Sequence, residues 1–120
     1  MRLNEMVFTD AVPVDGYGPG FFRIAGEVHE GALLLLPGGR RAWGGFDDAE
    51  GLSEAEIDVL FVGTGAEIAH APQEFRKQVE EMGIGVEVMA SPAACRTYNV
   101  LLSEGRRIGV ALLPVELPTG

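Results

Sequence analysis

The chain has 120 residues, and nine Lys and Arg set against eighteen Asp and Glu give it a net charge of -9 and a pI near 4.5. A negative field of that size argues against a general nucleic-acid binder or a binder of anionic membranes, both of which need positive charge on the protein. With 47% hydrophobic and 22% charged residues the composition is globular rather than disordered, and the length predicts one domain over residues 1–120 that buries roughly two-thirds of its unfolded surface.

Met1 to Gly20 reads as an irregular leader, because Asp15-Gly-Tyr-Gly-Pro-Gly20 packs four Gly and Pro residues into six. Its first residues lack the apolar run of a signal peptide and the Arg/Ser-rich, acid-poor character of a transit peptide. Phe21–Ile24 and Ala32–Leu36 are expected as two strands, antiparallel to each other, with Gly26–Gly31 between them as a hairpin connection or a short extra strand. Arg40–Trp43 is a candidate short strand. The acidic stretch from Asp47 to Glu56 has room for one or two helical turns, and the capping-box spacing of Ser53 and Glu56 is read as accidental because a strand follows at once.

From Ile57 onward apolar runs alternate with segments of helical period, the pattern of an α/β layer fold. Ile57–Gly63, Val86–Met89 and Ile108–Leu113 are the strands. The first two are joined by a connection long enough for a right-handed crossover, so they should be parallel neighbours or near-neighbours. Asp58–Val62, almost wholly apolar, belongs near the centre of a mixed sheet. The first helix starts near Pro72, carries Glu74 in its first turn, presents Phe75, Val79 and Met82 to the core and stops at Gly83. The second takes Ser91 as N-cap with Pro92 at the first helical position, turns Ala94, Tyr98, Leu101 and Leu102 to one face and ends at Gly105. Tyr98 and Leu101 are expected to be buried, and residues 115–120 to be a loose tail.

Few residues carry candidate chemistry. Gly63-Thr64-Gly65 follows a strand, where open α/β sheets keep their ligand crevice. A dinucleotide fingerprint would need a small residue where Ile68 stands, and the Gly-Lys-Ser/Thr of a P-loop is absent. The loop can offer backbone N–H groups to an anion, but a tight turn leaving a buried strand is the favoured reading. Cys95, the only cysteine, rules out an internal disulfide and points to a reducing compartment. It sits near a helix N-terminus with Arg96 beside it, which favours a thiolate. Neither His29 nor His70 can be placed next to it as a base, so it is read as a small buried hydrophobe.

Asn99 and Glu104 stand among core positions, followed by Arg106 and Arg107. The cations suit a helix C-terminus, and with Tyr98 these residues could also form a polar recognition cluster. Tyr17 and Trp43 are candidate interface aromatics, although core packing is the more ordinary place for one tryptophan. No apolar run is long enough to cross a bilayer, and a soluble cytoplasmic protein is the expectation.

The run from Ser91 to Pro114, SPAACRTYNVLLSEGRRIGVALLP, closely resembles the C-terminal motif of a small family whose eukaryotic members are mitochondrial respiratory complex I assembly factors. The strand with its Gly63-Thr64-Gly65 loop, the leader Tyr17-Gly-Pro-Gly-Phe-Phe-Arg-Ile24 and the Pro37 to Trp43 segment resemble it too. The resemblance implies a three-layer α/β/α sandwich with a central mixed β-sheet. It also implies a bacterial, non-enzymatic member without cofactors, working on another protein such as respiratory-complex assembly or membrane-insertion components, peripheral to the inner membrane through that partner. It supplies no catalytic residues. Tyr17, Trp43, Gly63, Thr64, Gly65, His70, Arg96, Arg106 and Arg107 are the candidate ligand or partner surface. The alternative is a small-molecule or anion-binding protein, within which an enzyme remains open, using the loop with His70, Arg96 and the Arg106-Arg107 pair.

Overall fold

The computed structural model describes residues 12–53 and 55–116. Within them β1 (Gly16–Gly18), β2 (Phe21–Ile24) and β3 (Glu27–Glu30) form a small antiparallel sheet in that order. β4 (Leu33–Leu36), β5 (Gly39–Ala42), β6 (Val59–Thr64), β7 (Gly85–Met89) and β8 (Ile108–Leu113) form the main sheet in the order β5-β4-β8-β6-β7. β6 runs parallel to both β7 and β8, while β4 is antiparallel to β8 and to β5, so the sheet is mixed. Helices α1 (Gln73–Glu81) and α2 (Ser91–Ser103) follow β6 and β7.

β6 and β8 are covered on both sides, which is why they read as continuous apolar runs. Phe61, Ile108, Val110 and Leu112 face one layer, where Ala94, Cys95 and Tyr98 of α2 meet Phe22 and Ile24 of the small sheet. Leu60, Val62 and Ala111 face the other, where Phe75 and Val79 of α1 pack with Trp43, Ala49 and Leu52. This is the three-layer α/β/α arrangement. The strand read from Asp58 to Val62 is internal, next to β8, which takes the centre.

Several local expectations change. Phe21–Ile24 does not pair with Leu33–Leu36. Glu27–Glu30 is a strand of its own that folds back on β2, and the chain then passes into the main sheet. The β2–β3 turn places Ala25 at φ 52° and Gly26 at φ 81°, the left-handed pair of a type I′ hairpin. The acidic stretch forms two short 3-10 turns, Gly45–Asp47 and Glu50–Leu52. Met82 is 37% exposed because α1 ends at Glu81, leaving Met82 outside the helix as its C-cap. Ser91 is not an N-cap. Ala90 holds that position and Ser91 is the first helical residue, its side chain fully buried and engaged elsewhere. Tyr98 is fully buried, whereas Leu101 is half-buried at the edge of its cluster.

The leader is more ordered than its glycines suggest, since Gly16–Gly18 pairs with β2. Val115 lies against Pro19 in a parallel bridge, and its carbonyl accepts the Gly20 N–H at 2.8 Å, so residue 115 is not loose. Residues 1–11 of the leader and 117–120 of the tail lie outside the described residues.

Candidate functional site

The carboxyl ends of β6, β7 and β8 lie together, at the place where a parallel sheet offers its crevice. Here the chain fills that place itself. The Ser91 hydroxyl donates to the Leu113 carbonyl at 2.6 Å and accepts the Gly65 N–H at 2.8 Å, while the Ser91 N–H donates to the Gly65 carbonyl at 2.7 Å. One serine therefore ties the ends of β6 and β8 to the start of α2. Gly63 permits the approach: a Cβ there would stand 2.7 Å from Ser91 Cα and 2.8 Å from Leu112 Cδ2, closer than carbon atoms pack.

Thr64 is likewise used internally. Its hydroxyl donates to the Glu67 carbonyl at 2.8 Å and accepts the Ala69 N–H at 2.9 Å, with the Met89 carbonyl 3.3 Å away. The Gly65 N–H and the Thr64 hydroxyl, two groups an anion would have needed, are thus already bonded. Gly65 itself has φ 100°, a conformation that excludes most side chains.

Outside this knot, His70 is exposed on the loop leading to α1 and borders an open cleft of about 260 Å³ with Ile68, Ala69, Ala71, Arg76 and Val88. Arg96 is exposed on α2. Its neighbour Cys95 is buried in the apolar layer, and burial pushes its thiol up to about 11 despite the opposing pull of Arg96. A helix N-terminus does not activate a thiol that burial keeps neutral.

Arg106 and Arg107 are at the other end of the sheet. β6 and β8 stay in register from Val59 beside Ile108 to Thr64 beside Leu113, so the arginines and the glycine loop are separated by a strand length of roughly 17 Å. Arg107 bonds the Asp58 carboxylate at 3.0 Å and holds it below its usual pKa, with Arg106 adding to the effect. The structure does not gather the loop, His70 and this pair into one site.

Trp43, a candidate surface aromatic, is 4% exposed. It packs edge-on against Phe46 and Phe75, with ring centroids 5.4 and 5.9 Å away, and its buried Nε1 has no hydrogen-bond partner among the described residues. The ring closes the α1 layer and is not presented to a partner. Tyr17, on β1, is 45% exposed. Among the described residues no group of three or more His, Cys, Asp or Glu is placed to hold a metal ion.

The polar residues on α2 have a definite task. The Asn99 side chain accepts the Val14 N–H through Oδ1 and donates to the Val14 carbonyl through Nδ2, both at 2.9 Å, and the Tyr98 hydroxyl donates to the Val12 carbonyl at 2.9 Å. The recognition cluster read around Tyr98 and Asn99 binds the chain's own leader. The bridging role of Ser91 escaped the sequence, because a serine before a proline at a helix start carries the ordinary signal of a cap.

A mixed five-stranded sheet between two helical layers, its strand-end crevice closed by a buried serine, defines the structural class. The chain belongs to the DUF498/DUF598 family, described as protein of unknown function, whose model matches residues 14–113. A protein of Rhodobacter capsulatus described as uncharacterized is 50% identical over 117 residues, 96% of this chain and 94% of that protein. NADH dehydrogenase (ubiquinone) 1 alpha subcomplex assembly factor 3 of Mus musculus is 35% identical over 123 residues, covering 95% of this chain but 66% of the mouse protein. Among solved structures, the crystal structure of an outer membrane protein from Bartonella henselae superposes with a TM-score of 0.81 at 36% identity, covering 88% of this chain and 97% of that one.

Proposed function

We propose that this protein acts by binding another protein during assembly of a membrane-associated complex, rather than by turning over a substrate. The observation that carries the reading is the filled crevice: Ser91 bonds Gly65 and the end of β8, and the Thr64 hydroxyl bonds the Glu67 carbonyl and the Ala69 N–H, where an α/β enzyme would hold its ligand. The relative named as an assembly factor supports the same role. The Bartonella structure's description as an outer membrane protein supports work at a membrane surface. No helix among the described residues is long and apolar enough to cross a membrane, and in this reading attachment runs through the partner.

Affinity purification of the tagged protein from solubilised native membranes tests this, scored for respiratory-complex or membrane-insertion components. Enrichment that is reduced by Tyr17→Ala or Arg106→Glu is the expected result. A second reading rests on the cleft beside His70 and Arg76, a little smaller than the roughly 300 Å³ at which small-molecule sites begin. Saturable binding of a metabolite, abolished by His70→Ala, without enrichment of any protein, would replace the first reading with the second.

A further inference from the structure

We infer that the β7 edge of the main sheet is a docking site for an extended segment of a partner protein in which apolar and basic residues alternate. The inference rests on the protein-binding reading above and adds where the partner sits and what it is made of. Among the described residues β7 pairs on one side only, with β6. Gly85 sends its N–H inward to the Asp58 carbonyl at 2.9 Å. Backbone groups alternate along a strand, so Glu87 also bonds inward, and the N–H and C=O of Val86 and Val88 point outward. An open edge of this kind accepts a further strand.

The two faces of that edge differ. Val86 and Val88 pack on the α1 side, and Val88 also borders the cleft with Ile68, His70 and Arg76, where Ile68 is 65% exposed. A partner residue opposite Val88 falls on that side and meets apolar surface. Glu87 lies opposite Phe61 on the α2 side and is exposed, so the partner residue facing it meets a carboxylate. A strand with an apolar residue on one face and Lys or Arg on the other satisfies both, and the net charge of -9 attracts such a segment from a distance.

Charge also bears on a second copy as occupant. The two-fold antiparallel register that pairs Val86 with Val88 sets Glu87 directly against its own copy, and like charges directly opposite each other destabilise a sheet pair. That register, the one that uses the outward groups of both valines, is therefore disfavoured for a second copy.

The test uses the intact protein and a short capped peptide in which valine alternates with lysine, beside one in which glutamate replaces lysine. Amide exchange in the free protein should be fast at Val86 and Val88 and slow at Glu87. The lysine peptide should bind saturably and protect Val86 and Val88. Glu87→Lys should weaken the lysine peptide about tenfold or more and reverse the preference between the two peptides. Val88→Pro removes the outward N–H without touching the β6 ladder and should abolish binding. If Val88→Pro melts early, the exposed charge reversal at 87 carries the test alone.

Absence of saturable binding, protection that appears away from β7, or a folded variant that binds like the wild type overturns the inference. So does concentration-dependent self-association that protects Val86 and Val88, which would make the occupant a second copy. Partner recovery from membranes that neither variant reduces would overturn the edge as the site while leaving the protein-binding reading in place.

Discussion

Ser91 shows how much can rest on one hydroxyl. Replacing it with alanine leaves the Gly65 N–H and the Leu113 carbonyl without their partner beside a fully buried position, and an orphaned buried polar group costs about 1 to 3 kcal/mol. Ser91→Ala should therefore lower the unfolding free energy by that amount, read as a lower denaturant midpoint at unchanged slope, whereas a loss under half a kilocalorie would mean that water replaces the hydroxyl. Gly63→Ala tests the same knot from the other side. Its new methyl would stand 2.7 Å from Ser91 Cα, backbone that cannot rotate away, so a loss of roughly 1 to 3 kcal/mol is expected in the same measurement. Ala25 offers a gain: it adopts φ 52° in the β2–β3 turn, a region that asparagine tolerates better. Ala25→Asn should raise the unfolding free energy by about 1 kcal/mol, and no rise would show that the turn relaxes at no cost.

At the scale of elements, the leader and α2 form one unit through Asn99, whose amide bonds Val14 as a neighbouring strand would. Asn99→Ala should leave the main sheet folded while the Val14 amide loses its protection from exchange. Unchanged protection would mean that burial of the Val14 side chain, 5% exposed, holds the strap without the amide. The periodicity of α1 and α2 and the apolar runs of β6 and β8 were legible in the sequence, because burial on one helix face or on both faces of a strand writes a local pattern. The strap was not, since Asn99 and Val14 are 85 positions apart and nothing near either announces the other. Ser91 failed for a related reason: its local signature reads as a cap, but Ala90 takes that position and the Ser91 hydroxyl is held by partners at 65 and 113. Arg106 and Arg107 could be read as a helix-end pair, but only strand register shows that they lie at the far end of the sheet from the glycine loop.

At the scale of the whole molecule, the layer under α2 makes the fold lose stability at alkaline pH. Cys95 and Tyr98 both lie in that layer, and burial raises the thiol from 9.0 to about 11 and the phenol from 10.0 to about 12. Both groups are neutral when protonated, so a raised pKa in the folded state means that the unfolded chain releases its protons first as pH rises. Their contribution is complete below pH 9 and is lost progressively as pH rises through the folded values near 11 and 12. The negative charge of the chain, already -9, grows over the same range and adds self-repulsion. Denaturant melts from pH 7 to pH 11 should therefore hold level up to about pH 9 and then fall, and Cys95→Ala should flatten the first part of the fall at some cost in packing at neutral pH. In parallel, the folded protein should react slowly with a thiol-alkylating reagent at neutral pH and at the free-cysteine rate once unfolded. A flat profile to pH 11, or rapid alkylation of the native protein, would show that α2 opens to water and that the thiol does not belong to the core.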